Sequence, residues 1–136
     1  MTLNEWAKEI HQYAIEHGWW DEERHFGDIV ALCHSELSEA LEEYRANRGM
    51  LWYPCLEGKI VTPCDQRDGY DCLYFENKEK CPHIGAKPEG IAVEMIDCII
   101  RILDWCGKES VDVDGLLAQK HEYNKTRPYR HGGKKL

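Results

Sequence analysis

The run Ile91-Ala92-Val93-Glu94-Met95-Ile96-Asp97-Cys98-Ile99-Ile100-Arg101-Ile102-Leu103-Asp104-Trp105-Cys106 decides the fold class. Wound at about 3.6 residues per turn, its apolar residues surround nearly the whole cylinder, and a helix that is hydrophobic all round is a buried one. The spacing predicts a helix from Glu89 to Cys106 that stops at Gly107. Its main interruption is a narrow polar strip of Glu94, Asp97, Arg101 and Asp104. Carboxylates on a buried helix must be compensated, because an isolated buried charge is costly even after relaxation. A small bundle leaves part of such a helix bare, and a second copy of the chain is the simplest cover, so a homo-oligomer is expected.

Upstream, Thr2-Leu3-Asn4-Glu5 has the spacing of a capping box, and Leu3, Trp6, Ala7, Ile10 and Ala14 recur on one face of a first helix ending near Gly18. A connection from Trp19 to Phe26 leads to a second helix. Its stripe is Ile29, Val30, Cys33, Leu37, Ala40, Leu41 and Tyr44, and it stops before Gly49. Downstream, a fourth helix begins near Asp112 as N-cap and ends before Pro128. Between Met50 and Pro88 the periodicity collapses among prolines, glycines and cysteines. The chain therefore reads as one all-α domain over residues 1–136, of four-helix-bundle type, whose helical core (1–49 and 89–136) is interrupted by an irregular Cys-containing insertion (50–88).

With 136 residues, 43% of them hydrophobic and 31% charged, the chain can bury one core and lies far from the composition of disorder. A net charge of −8 argues against a nucleic-acid polymer as ligand, since such binders need a broad cationic face. No apolar run approaches a membrane span, and Met1 to Trp6 lack the basic start of a signal segment, so a cytoplasmic protein with no membrane partner is expected.

Glu36 and Glu39 are three residues apart on the second helix, and Glu94 and Asp97 repeat that interval on the third. Side chains so spaced point within about 60° of each other and can share a ligand. Glu43 is an accessory candidate, whereas Glu42 projects away. The plain alternatives are a solvated face for Glu36 and Glu39 and a buried ion pair with Arg101 for Asp97. On helix four, the stripe begun by Val113, Leu116 and Leu117 continues as Lys120, Asn124 and Arg127, which places polar groups on an inward face. Beyond Pro128, Arg130 and His131 belong to a cationic segment able to close over phosphates. An oxygen-only ligand set favours Mg²⁺, with Mn²⁺ able to substitute, over zinc, and suits hydrolysis of a phosphate anhydride.

The segments Glu36-Leu37-Ser38-Glu39, Glu94-Met95-Ile96-Asp97 and Lys120-His121-Glu122-Tyr123-Asn124 resemble, in order, the ExxE, ExxD and KxxxN motifs of MazG-like nucleotide pyrophosphohydrolases. The resemblance covers residues 1–49 and 89–136, not the insertion. It implies an α-helical homodimer or homotetramer that cleaves nucleoside triphosphates between the α and β phosphates to a monophosphate and pyrophosphate. Glu36, Glu39, Glu94 and Asp97 then become Mg²⁺ ligands, and Lys120 and Asn124 phosphate contacts. Trp20 is similar to an aromatic that stacks on the base in dCTP-cleaving relatives, a packed interface tryptophan being the alternative.

Two further functions compete. A di-iron or di-manganese carboxylate oxidoreductase would need Glu-x-x-His, and both motifs here end in carboxylates. A catalytically weak nucleotide-binding or regulatory protein on the same fold fits the long insertion. Within the insertion, Cys55, Cys64, Cys72 and Cys81 are nearly evenly spaced, with His83 beyond, but form no CxxC pair, so a Zn²⁺ site, an iron–sulfur cluster and unligated thiols are all open. Cys33, Cys98 and Cys106 read as small core residues.

Overall fold

Helix α1 (Leu3–Glu16) starts at the expected capping box: the Glu5 amide donates to Thr2 Oγ1 (3.1 Å) and the Thr2 amide to the Glu5 carboxylate (2.6 Å). It is followed by α2 (Phe26–Arg45), α3 (Ile91–Lys108), α4 (Val113–Lys125) and the short α5 (Arg130–Gly133). This computed structural model describes residues 1–56, 62–63, 81–82, 84–85, 87–133 and 135, the side chains of Thr62, Pro63 and His131 excepted. The fold is all-α, and no described helix is long and apolar enough to cross a membrane. Two compact units form, Met1–His25 with Ile100–Leu136, and Phe26–Ile99.

In the first unit Ala7, Leu103 and Cys106 make a buried cluster with Ile10, Trp105, Val111 and Val113 packed against it. Gly107 lies inside α3 rather than past its end. A Cβ there would press on the Ala7 carbonyl and come within 2.7 Å of His11 Cβ, so glycine serves close helix packing instead of a stop signal. The N-termini of α1 and α4 cap each other. The Asp114 carboxylate accepts from the Leu3 and Asn4 amides (3.2 and 2.9 Å), while Asn4 Oδ1 accepts from the Val113 amide (2.7 Å) and Asn4 Nδ2 donates to Asp112 (2.8 Å). Asp112 is the N-cap that the sequence marks, taking the Gly115 amide at 3.0 Å.

Helix α4 departs from expectation beyond this clasp. It has no buried residue, and Leu116, Leu117, Lys120, Asn124 and Arg127 are all exposed. The inward stripe is not realised in the single chain, because α4 docks only through its N-terminal end. Helix α3 is likewise covered on one side only. Glu94, Cys98, Leu103 and Cys106 are buried, but Met95, Ile96, Ile99, Ile100 and Ile102 are exposed, so burial all round is not achieved by one chain.

The second unit is organised by a backbone staple at the start of α3. Trp52 and Glu89 exchange both amide-to-carbonyl bonds (2.8 and 2.9 Å), and the Ile91 and Ala92 amides donate to the Gly49 and Met50 carbonyls (3.2 and 3.0 Å). This pairing delays the helix from Glu89 to Ile91. Nearby, β1 (Pro54–Cys55) pairs antiparallel with β2 (Thr62–Pro63), placing Cys55 opposite Thr62. Gly90 has φ +122°, and a Cβ would lie 2.7 Å from both the Gly49 and Met50 carbonyl oxygens. Gly90→Ala is expected to destabilise the fold by about 3 kcal/mol or more, read as a lower urea midpoint at unchanged slope. A midpoint equal to the parent's would show that the staple does not constrain Gly90.

Candidate metal centre

On α2 the covered line is Ile29, Cys33, Glu36 and Ala40, one residue every three to four, so Glu36 is carried inward with its apolar neighbours and is 6% exposed. Val30, Leu37, Leu41 and Tyr44 form a second line that is exposed, a split that the single predicted stripe did not separate. Glu39, nearly a turn after Glu36, is exposed, and Glu94 in the first turn of α3 is 7% exposed.

Carboxylate oxygens of Glu36, Glu39 and Glu94 all lie within 4.8 Å of one another. Oxygens bound to one Mg²⁺ at about 2.1 Å sit no more than about 4.2 Å apart, so small side-chain rotations suffice to close this set on one ion. Three of the four expected ligands are thus brought together. Asp97, three residues beyond Glu94 and half-buried, stays outside that set, although its charge acts on Glu94.

Crowding has an electrostatic consequence. Burial, followed by the charges of Glu39, Asp97, Glu36 and Glu89, pushes the Glu94 carboxyl up to about 7. A proton or a cation must relieve the cluster near neutrality. Lys87, which the sequence reading did not single out, feels the same charges. Its ammonium bonds Glu89 at 2.8 Å, and its pKa is raised by that hydrogen bond first and then by the charges of Glu89, Glu94 and Asp97 against some desolvation. The signal was hidden because Lys87 lies in a stretch without periodicity.

Other expected residues fall elsewhere. Glu43 lies outside the converging set: its carboxylate accepts from Arg48 (2.9 Å) and from Trp52 Nε1 (2.7 Å), tying α2 to the staple. Trp20, in the first unit, donates its Nε1 to Asp104 (3.0 Å) and meets His11 edge-on, and His11 Nδ1 is 2.7 Å from the same carboxylate. The role of Asp104 as anchor for both rings was not read from sequence, since no spacing rule links residues 11, 20 and 104. Lys120 holds its ammonium over the Tyr123 ring (5.1 Å), and the Arg130 guanidinium lies over Tyr129 (5.6 Å). His131 is in α5. Lys120, Asn124, Arg127, Arg130 and His131 all belong to the first unit and the carboxylates to the second. Cys55 is buried and Cys81 half-buried, whereas Cys64, Cys72 and His83 lie outside the described residues. Cys98 and Cys106 are buried core residues, as expected.

No family model, no curated protein and no solved structure matches this chain.

The Glu94 shift gives stability a definite pH sense. Its folded-state pKa lies above the ordinary 4.5, so the fold holds the proton more tightly than the unfolded chain, and this contribution is lost as pH rises through about 7. In chelator, Tm is therefore expected to fall from about pH 5 to about pH 8, with Glu94→Gln flattening the fall and Mg²⁺ raising Tm more at the alkaline end. Scanning fluorimetry checks this, and an unchanged slope in Glu94→Gln would contradict it.

Proposed function

We propose that this chain is a Mg²⁺-dependent nucleoside triphosphate pyrophosphohydrolase that releases a (deoxy)nucleoside monophosphate and pyrophosphate, in cytoplasmic house-cleaning of the nucleotide pool. The observation that carries the reading is the convergence of Glu36, Glu39 and Glu94 from two helices, within reach of a single hard cation. The donor set fits the ion. All three donors are carboxylate oxygens, neither His nor Cys is among them, and the raised pKa of Glu94 marks a charge surplus that a divalent cation would relieve.

Glu36, Glu39 and Glu94 would hold Mg²⁺, or Mn²⁺ in its place, with Asp97 available from the next turn. When bound, the ion neutralises phosphate charge and lowers the pKa of coordinated water. The protein's own part is to keep Glu36 and Glu94 away from bulk water, which strengthens their electrostatic grip, and to present Glu39 at the open side. Exposure leaves Lys120, Asn124, Arg127 and Arg130 accessible to an anion; the third motif assigns Lys120 and Asn124 to phosphate oxygens, and Arg127, Arg130 and His131 supply the closing basic segment. The assembly is a homodimer or homotetramer, supported by the exposed aliphatic face of α3 and by Val30, Leu37 and Leu41 of α2. Nucleic-acid polymers and membranes play no part in this reading. A catalytically weak nucleotide-binding protein on the same fold is the second reading, favoured by the full exposure of α4 from Gly115 onward.

Pyrophosphate release from a panel of deoxynucleoside and ribonucleoside triphosphates decides between them. The parent is expected to turn over with Mg²⁺ and to stop in chelator. Glu36→Gln and Asp97→Asn should each lower kcat/KM by about 100-fold or more while helical content by circular dichroism is kept. A parental rate in Glu36→Gln would remove the carboxylate assignment. On the assembly, light scattering at micromolar concentration is expected to give two or four copies, and a monomer would contradict it.

A further inference from the structure

Lys87 is the candidate that the unit Phe26–Ile99 carries furthest. Among the described residues of that unit the Lys and Arg side chains are Arg45, Arg48 and Lys87. Arg45 is paired with Glu42, and Arg48 is held by Glu43 with its guanidinium over the Trp52 ring (5.1 Å). What sets Lys87 apart is its place: its ammonium rests on the half-buried Glu89 at 2.8 Å, beside the start of α3, while its side chain is 74% exposed and as open to exchange as that of Arg45 (67%).

Its location is fixed more firmly than its contact. Glu89 is locked by the two backbone bonds to Trp52, and Gly90 is wedged against the Gly49 and Met50 carbonyls, so the chain carrying Lys87 is anchored to the first turn of α3. Glu94 stands one turn in, its amide bonded to the Gly90 carbonyl at 3.1 Å. Side chains on a helix lean toward its N-terminus, so the Glu94 carboxylate and its partners Glu36 and Glu39 gather beside the Glu89–Gly90 end. The hydrogen bond to Glu89 first, and then the charges of Glu89, Glu94 and Asp97, raise the Lys87 pKa.

We propose that Lys87 is a substrate-binding residue that leaves Glu89 to hold an oxygen of the polyphosphate chain delivered to the Glu36, Glu39 and Glu94 cluster. The assignment rests on the metal-dependent nucleotide reading above and names a phosphate contact that none of its three motifs contains. The exchange follows from charge. A polyphosphate adds negative charge beside four carboxylates, and a cation bound loosely to Glu89 gains more from a bridging phosphate oxygen than it loses. Glu89 is the resting partner that holds the side chain at the rim until the anion arrives.

Binding of Mn²⁺ alone and of inorganic pyrophosphate with Mg²⁺ tests this directly, with the parent, Lys87→Ala and Lys87→Arg measured by calorimetry beside steady-state turnover. Lys87→Ala is expected to bind Mn²⁺ as the parent does, to lose about tenfold or more in affinity for magnesium pyrophosphate, and to show the loss in KM more than in kcat; Lys87→Arg should recover most of it. Parental pyrophosphate affinity and KM in Lys87→Ala, with the parent turning over nucleotide, would overturn the assignment and leave the hydrolase reading intact. Pyrophosphate binding that depends on Lys87 in a protein that hydrolyses no nucleotide would support Lys87 and overturn the hydrolase reading instead. A loss of Mn²⁺ binding in Lys87→Ala that matches the loss of pyrophosphate binding would make Lys87 a structural support of the cluster and overturn the proposal.

Discussion

Mutual repulsion among Glu36, Glu39 and Glu94 is the constraint around which the second unit is arranged. Two carboxylates whose oxygens lie within 4.8 Å repel by roughly 1 kcal/mol in water and by more where solvent is partly excluded, as it is at Glu36 and Glu94. Apolar neighbours on the same lines as the acids, Ile29 and Ala40 on α2 and Cys98 on α3, are also buried. Functional charge and core packing share the same helix faces, so neither can be altered alone.

Hydrogen bonding carries the rest of the load. The Trp52 and Glu89 pairing closes the insertion at its base, and Glu43 reaches from α2 to the Trp52 indole while also holding Arg48. An acid that the periodicity offers as one more ligand is thereby spent on architecture. The division among the acids of α2 is physical: Glu36 follows the buried line, Glu42 pairs with Arg45 in solvent, and Glu43 meets an indole N–H that only a residue nine positions on could supply.

What was legible in the sequence was whatever depends on short spacing. The Thr2 capping box, the Asp112 N-cap, four helices with ends within a few residues of those predicted, and the two i, i+3 acid pairs all rest on neighbours within one turn. What was not legible depends on cover. Periodicity shows that Met95, Ile99 and Ile102 are apolar, but it carries no information on whether anything lies against them, and the same blindness turned α4's exposed stripe into an expected inner face. Gly107 misled for a related reason: a glycine after an apolar run reads as a helix stop, whereas here the Ala7 carbonyl and His11 on α1 claim its missing side chain. The Asp104, His11 and Trp20 cluster had no spacing to betray it.

The clasp between α1 and α4 has a consequence for how the chain comes to be folded. Its Asn4 and Asp112 side chains are 108 positions apart, and the unit they belong to is assembled from both ends of the described chain, whereas Phe26–Ile99 is one continuous stretch. Closing so long a loop carries a large entropy debit that must be met before the clasp returns anything. During synthesis the continuous unit can settle as soon as residue 99 has left the ribosome. The first helix, made earliest, has to wait for its capping partner until α4 emerges, some five to twenty seconds later at ordinary bacterial or slower elongation rates of roughly 5–20 residues per second scaled over about 100 residues. Throughout that interval Ala7 and Ile10 have no core to join, which makes α1 the segment most in need of shelter on the nascent chain.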